Sequence, residues 1–174
     1  MSQPVTITIV SYDAQWPTLY AREAERIGRL LGQKALSVEH VGSTAVPGLA
    51  AKPRIDIDLA VADSADEPSY LPLMERGGYY LAHREPEWHE HRLLHGPDTH
   101  VNVHVFSPDA PELERHRRFR DWLRSHPEDC DNYAALKRQL ARRTWVSGDA
   151  YAEAKGSFIE AVLARAAAAR GTGE

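Results

Sequence analysis

Two aspartates, Asp56 and Asp58, stand one residue apart inside the run Arg54-Ile55-Asp56-Ile57-Asp58-Leu59-Ala60-Val61. The alternation predicts a strand that turns Ile55, Ile57, Leu59 and Val61 to one face and both carboxylates to the other. At strand rise their α-carbons lie roughly 6.6–7 Å apart, so both carboxylates can lean toward one point. Like charges so placed repel, and each carboxyl is harder to ionise unless a cation sits between them. A hard ion such as Mg²⁺ takes oxygen ligands, often one or two carboxylates plus phosphates.

A small-residue stretch precedes that strand: His40-Val41-Gly42-Ser43-Thr44-Ala45-Val46-Pro47-Gly48, with Lys52 and Arg54 following. Gly42 permits positive φ or a close approach of backbone to ligand. Ser43 and Thr44 offer hydroxyls and successive N–H groups that could cradle a phosphate. Gly48 is followed by Leu49 rather than by Gly-Lys, so this is no Walker loop, and no G-x-G-x-x-G occurs. A lone Gly-Ser is usually a turn and a lone D-x-D usually a solvated strand face; their succession is what points to a metal-plus-phosphate site.

Other chemistry-bearing residues are weighed against ordinary roles. Six of the nine histidines fall between His83 and His104. On the strand expected at 99–106, His100, Asn102 and His104 share one face, and that strand should neighbour Asp56 and Asp58. His89 and His91 read as a polar strand edge, and His40 is equally divided between pointing into the site and packing. Arg117, Arg120 and Arg124 share a helix face that could meet phosphates or could pair with acids. Lys155 lies on the apolar side of its helix, where it either snorkels or reaches a phosphate. Cys130 follows two acids, which oppose thiolate formation.

The elements that must position these groups follow from periodicity. Val5 to Val10 reads as a strand, and Trp16 to Leu31 as an amphipathic helix with Asp13 as its N-cap and Pro17 in its first turn. Short strands are expected at 37–41 and 54–61, a helix at 70–76, and strands at 79–84, 90–95 and 99–106. Gly96-Pro97-Asp98 turns between the last two. Helices then follow, one capped by Asp109 with Glu112 as a capping box. The second is marked by Tyr133, Leu136 and Leu140, and the third by Tyr151, Phe158, Val162 and Ala166.

The 174 residues, 43% hydrophobic and 26% charged, suit a globular α/β (α+β) chain. No apolar run nears the roughly 18 residues of a membrane span. One cysteine excludes a disulfide framework or a cysteine-built zinc site. The N-terminus lacks a signal-peptide pattern, so the expected location is cytoplasmic. Residues 1–111 carry a net −6 and residues 112–174 a net +2, which argues against binding bulk nucleic acid.

The spacing Gly42-Ser43, twelve residues, Asp56-Ile57-Asp58-Leu59 resembles the signature of the nucleotidyltransferase (DNA polymerase β-like) superfamily. Tyr12-Asp13-Ala14-Gln15-Trp16-Pro17, the His40–Leu49 stretch, Lys52-Pro53-Arg54, Val103-His104-Val105, Arg115–Arg124, Tyr133–Lys137 and Lys155-Gly156-Ser157-Phe158-Ile159 extend the likeness nearly end to end. They resemble the GrpB family within that superfamily. The order of elements gives a mixed-sheet core over 1–107 and a helical part over 108–170 packed on it, with a disordered tail expected at 171–174. The resemblance implies metal-dependent nucleotidyl or phosphoryl transfer from a nucleoside triphosphate to a small acceptor, with Asp56 and Asp58 as catalytic metal ligands. Gly42, Ser43, Thr44, Lys52, Arg54, Arg120 and Lys155 would hold the phosphates. The superfamily's third acid is missing; His104 or Asn102 would take its place, and imidazole favours Mn²⁺ or Zn²⁺ over Mg²⁺. Some family members are fused to dephospho-coenzyme A kinase, a hint at coenzyme A metabolism. A non-catalytic nucleotide- or metal-binding regulatory module is the alternative. A histidine-metal hydrolase would require His100 and His104 on one ion.

Overall fold

A computed structural model describes residues 3–98 and 100–172. Five strands form a mixed sheet: β2 (Ser37–Val41), β3 (Ile55–Ala60), β4 (Tyr80–Glu85), β5 (His91–His95) and β6 (Val101–Phe106), in the order β2-β3-β6-β5-β4. Only the central pair, β3 and β6, is parallel; the other pairings are antiparallel. Gly96, Pro97 and Asp98 lie in the β5–β6 connection, as expected; Thr99 lies outside the described residues.

The alternation in β3 and β6 divides the sheet's two faces. Ile55, Ile57, Leu59, Val101, Val103 and Val105 pack with Trp16, Ile27 and Leu31 of α1 (Trp16–Leu31) and Met74 of α2 (Leu71–Arg76). Complete burial of such a side chain contributes about 1.5–3 kcal/mol, so this face fixes the register. The β3–β6 register sets Asp56 beside Asn102 and Asp58 beside His104. All four therefore project to the opposite face, which α3 (Pro111–Ser125) and α4 (Pro127–Ala141) help to cover. A second apolar cluster joins Val46, Leu49 and Ala50 of the Gly42–Pro53 stretch to Leu123, Tyr133 and Ala134, tying those helices to the loop before β3. No helix among the described residues is long and apolar enough to cross a membrane.

Several local expectations are corrected. The strand expected at 5–10 is only β1 (Val5–Thr6), paired with β7 (Thr144–Trp145); Val10 bridges separately to Ala51, so two different partners divide the run. Asp13 does not cap α1: its Oδ1 accepts the Gln15 N–H at 2.8 Å, while Gln15 is the N-cap. Ala110, not Asp109, is the N-cap of α3, and Glu112 faces Arg115 and His116 instead of closing a box. The last helix is two, α5 (Gly148–Ala154) and α6 (Gly156–Gly171), joined at Lys155. Gly171 thus ends a helix rather than beginning a tail; Gly173 and Glu174 lie outside the described residues.

Candidate functional site

The site begins where β2 ends. Gly42 adopts φ 73°, ψ −174°, a combination open essentially to glycine alone. A Cβ there would lie 2.8 Å from Asp56 Oδ2, so the bare backbone makes room for the carboxylate. Ser43 to Ala45 form one 3₁₀ turn. The Thr44 hydroxyl is used by the scaffold: it donates to the Arg54 carbonyl at 3.3 Å and lies 2.9 Å from His40 Nε2. His40 faces away from the carboxylates and stacks on Tyr20, with ring centroids 4.7 Å apart. Burial pushes its imidazole down to about 4, with Arg124 and Arg120 adding to the effect, so it packs as a neutral side chain.

Asp56 is half-buried. Its Oδ1 accepts the Asn102 Nδ2–H at 3.3 Å and lies 3.2 Å from His104 Nε2. Burial pushes the carboxyl upward, but His104, Asn102 and Lys52 outweigh it, and Asp56 ionises below the usual carboxylate range. Asp58 is 3% exposed; its Oδ2 is 2.8 Å from His116 Nδ1, and its Oδ1 is buried without a donor. The half-buried His116 ring is partly desolvated, which lowers its proton affinity, yet the bond and charge of Asp58 and the charge of Glu112 raise it overall. His116 therefore takes up a proton more readily beside Asp58 than an ordinary imidazole does. Among the described residues no three His, Cys, Asp or Glu side chains gather as a ligand set, so Asp56, Asp58 and His104 do not close around one point.

Behind His104 runs a chain that sequence reading missed. His91 Nδ1 is 2.5 Å from Glu85 Oε2, and His91 Nε2 is 3.0 Å from His104 Nδ1. His91 is not an exposed edge residue: it is 3% exposed, and burial together with His104 lowers it to about 4. A neutral His91 that donates from Nδ1 to Glu85 must accept at Nε2. His104 then donates from Nδ1, which leaves its Nε2 facing Asp56 Oδ1. At 3.2 Å the imidazole nitrogen and the carboxylate oxygen can share either a proton or a cation. Two ligands about 2.1 Å from one ion, near a right angle, stand about 3 Å apart. The buried Asn102 Oδ1, also without a donor, adds an oxygen to this acceptor-rich floor. These residues fit one cation at Asp56 and His104. A second ion is not provided for, since His116 already occupies Asp58.

Beside Asp56 opens a cavity of about 160 Å³. Gly42, Ser43, Thr44, Lys52, Arg54, Asp56, Asn102 and Lys155 line it, together with Tyr133, Lys137 and Tyr151. Lys52 and Lys155 stand over the Tyr151 ring at 5.2 and 4.6 Å from its centroid, and Lys137 stands 4.6 Å from that of Tyr133. Burial, reinforced by Lys155 and Lys52, lowers the Lys137 ammonium to about 7. Burial and Lys52 lower Lys155 to about 8. Lys137 and Tyr133 were not foreseen as site residues. Their signal was available: Cys130, Tyr133, Ala134, Lys137 and Leu140 make one buried helix face, and a lysine in an apolar stripe is anomalous.

The remaining expected residues lie elsewhere. Arg120 is not in the cavity: it donates to Glu39 at 2.9 Å and to the His40 carbonyl at 3.0 Å. Arg117 also meets Glu39, and Arg124 donates to the Ala45 carbonyl, so this stripe straps α3 to β2 and the loop. His100 is exposed and lines a separate groove with Arg54, Tyr80, His95 and Asp98, away from the His104 chain.

A family model described as GrpB protein matches residues 6–165. A UPF0157 protein of Halalkalibacterium halodurans is 55% identical over 161 residues, 92% of this chain and 83% of that protein. A dephospho-CoA kinase of Mycolicibacterium paratuberculosis is 30% identical over 188 residues, 92% of this chain but 46% of that protein. The crystal structure of GrpB from Enterococcus faecalis is similar with TM-score 0.79 and 32% identity, covering 91% of this chain and 96% of that one.

Proposed function

The chain belongs to the GrpB family, and from that premise we propose that it transfers a nucleotidyl or phosphoryl group from a nucleoside triphosphate to a small acceptor with the help of a divalent metal, on a fold of nucleotidyltransferase type. One observation carries the reading. Asp56 faces an imidazole nitrogen 3.2 Å away on one side and a lysine-lined cavity on the other. The likeness to part of a dephospho-CoA kinase is consistent with nucleotide-related chemistry.

Asp56 and His104 would hold the cation, which when bound neutralises phosphate oxygens and polarises the phosphorus. Glu85 and His91 fix the His104 tautomer, and Asn102 fixes the Asp56 carboxylate. Lys52, Arg54 and Lys155 bring positive charge to the phosphate oxygens, and Ser43 adds a hydroxyl. Positioning and charge neutralisation are most of what phosphoryl transfer asks of a protein. The burial of Asp58 under His116 favours a second reading, in which the same site binds nucleotide and metal without turnover.

Thermal unfolding with nucleoside triphosphates and Mn²⁺ or Mg²⁺ tests this. A triphosphate at a hundredfold excess over Kd should add about 2.7 kcal/mol of stability to the parent, and only with metal. Asp56→Asn should lose the metal-dependent part. Equal stabilisation of both proteins, with or without metal, refutes the metal-dependent reading. Metal-dependent binding with no pyrophosphate or phosphate release across a panel of small acceptors selects the non-catalytic one.

A further inference from the structure

We infer that the lysine-lined cavity is a metal-independent receptor for two linked phosphate groups, with Lys137 as its innermost cation. This goes beyond the transfer reading, because it requires neither a nucleoside nor a metal. Lys52, Lys137 and Lys155 come from three separate segments: the loop before β3, α4 and the α5–α6 junction. Their convergence is therefore a product of the tertiary fold. Lys137 is 2% exposed, and its Nζ has no hydrogen-bond partner among the described residues. The buried Tyr151 hydroxyl has none either. Both residues line the cavity.

Charges in a protein interior are normally paired. Asp56 is the one acidic side chain in this lining, and its Oδ1 already accepts from Asn102 and faces His104. The chain thus places three ammonium groups and Arg54 around a hole while lending that hole one committed carboxylate. An anionic ligand would supply the countercharge that this lining lacks. Lysines suit a tetrahedral oxyanion, since each ammonium is a compact charge with three donors and imposes no planar match. The Tyr151 hydroxyl supplies a further donor.

Size narrows the class. Cavities that enclose a drug-sized molecule run from about 300 to 1,000 Å³, and this one holds about 160 Å³. A whole nucleotide does not fit, whereas a pair of linked phosphates does. A single carboxylate would leave most of the positive charge unmatched. The occupant is either free pyrophosphate or the terminal two phosphates of a nucleotide whose remainder projects past Arg54.

Titration calorimetry in EDTA with sodium pyrophosphate, inorganic phosphate and ATP tests this on the parent, Lys137→Met and Lys155→Met. Loss of a charge-assisted hydrogen bond should weaken pyrophosphate binding roughly ten- to a hundredfold in each variant. Inorganic phosphate should bind the parent more weakly than pyrophosphate. Pyrophosphate tighter than ATP identifies the free anion as occupant; the reverse order identifies a nucleotide tail, and either order sustains the receptor. Thermal unfolding of each variant checks that it is folded, and Lys155→Met, nearer solvent, serves if Lys137→Met is not. Absence of pyrophosphate binding to the metal-free parent, or unchanged affinity in a folded variant, overturns the inference. Metal-dependent triphosphate binding could survive that failure. Conversely, metal-free pyrophosphate binding without any metal-dependent step would sustain the receptor and end the transfer reading.

Discussion

Replacing Lys137 by Met should stabilise the ligand-free protein near neutrality and flatten its pH dependence. In the folded chain burial, Lys155 and Lys52 lower the Lys137 ammonium to about 7; its ordinary value is 10.5. Between those values the unfolded chain holds a proton that the folded chain has released. Stability therefore rises with pH across that window, and the penalty of the buried charge is greatest below pH 7. The slope approaches 1.36 kcal/mol per pH unit, but at pH 7 the folded group is still half-protonated. Integrated from pH 7 to pH 9, the gain attributable to Lys137 is about 2 kcal/mol. Urea denaturation at both values, in buffer free of phosphate, measures it for the parent and for Lys137→Met. Lys155, Lys52 and Arg138 repel this ammonium and Cys130 opposes them, and all four remain in the variant, so the difference between the two proteins reports what removing Lys137 does. The parent should gain about 2 kcal/mol more than the variant. Saturating pyrophosphate should erase the difference by returning the proton to the lysine. A variant with the parent's slope, or one less stable at pH 7, refutes the view of Lys137 as an unpaired buried cation.

Two further substitutions separate the site from its scaffold. Gly42→Ala meets Asp56 Oδ2 at 2.8 Å and forces a backbone conformation that alanine avoids; stability should fall by about 1–3 kcal/mol, and Mn²⁺ affinity in calorimetry should fall more steeply than for an ordinary turn glycine. Arg120→Ala should cost about 1.5–3 kcal/mol of stability through its lost contacts with Glu39 and the His40 carbonyl, while pyrophosphate affinity stays that of the parent; a selective loss of affinity would restore Arg120 to the phosphate-binding residues.

The parts of the fold set by period were legible. Alternation in Ile55–Ala60 and Val101–Phe106 identified both central strands, and helical spacing placed α1 with the bounds Trp16 and Leu31. Parts decided by partners were not. Val5 to Val10 alternates well, yet whether it forms a ladder depends on Ala51 and Thr144–Trp145, far along the chain. The same division runs through the site. The strand face carrying Asp56, Asn102, Asp58 and His104 followed from side-chain parity and neighbouring strands. His91, His116 and Lys137 enter from other elements, and only tertiary packing brings them near. His91 looked like a surface residue because Trp88-His89-Glu90 around it is polar; it is covered by Trp88, whose ring centroid is 4.8 Å away, and by Phe106. Arg120 shows how a basic stripe is read two ways from sequence: it could meet a phosphate or an acid, and in the fold Glu39 lies opposite.

The parallel pairing of β3 with β6 also bears on how such a chain can diverge. A slip of one residue would turn Val101, Val103 and Val105 away from α1 and expose them. The apolar parity therefore guards the alignment by itself, and the residues at 56, 58, 102 and 104 contribute little to it. Exchanging them alters the chemistry presented without asking the sheet to find a new arrangement. A lineage built on this frame can trade a carboxylate for an imidazole or an amide at those places without losing the strand alignment, at a cost set by the partners each side chain leaves behind, as with His116 at Asp58.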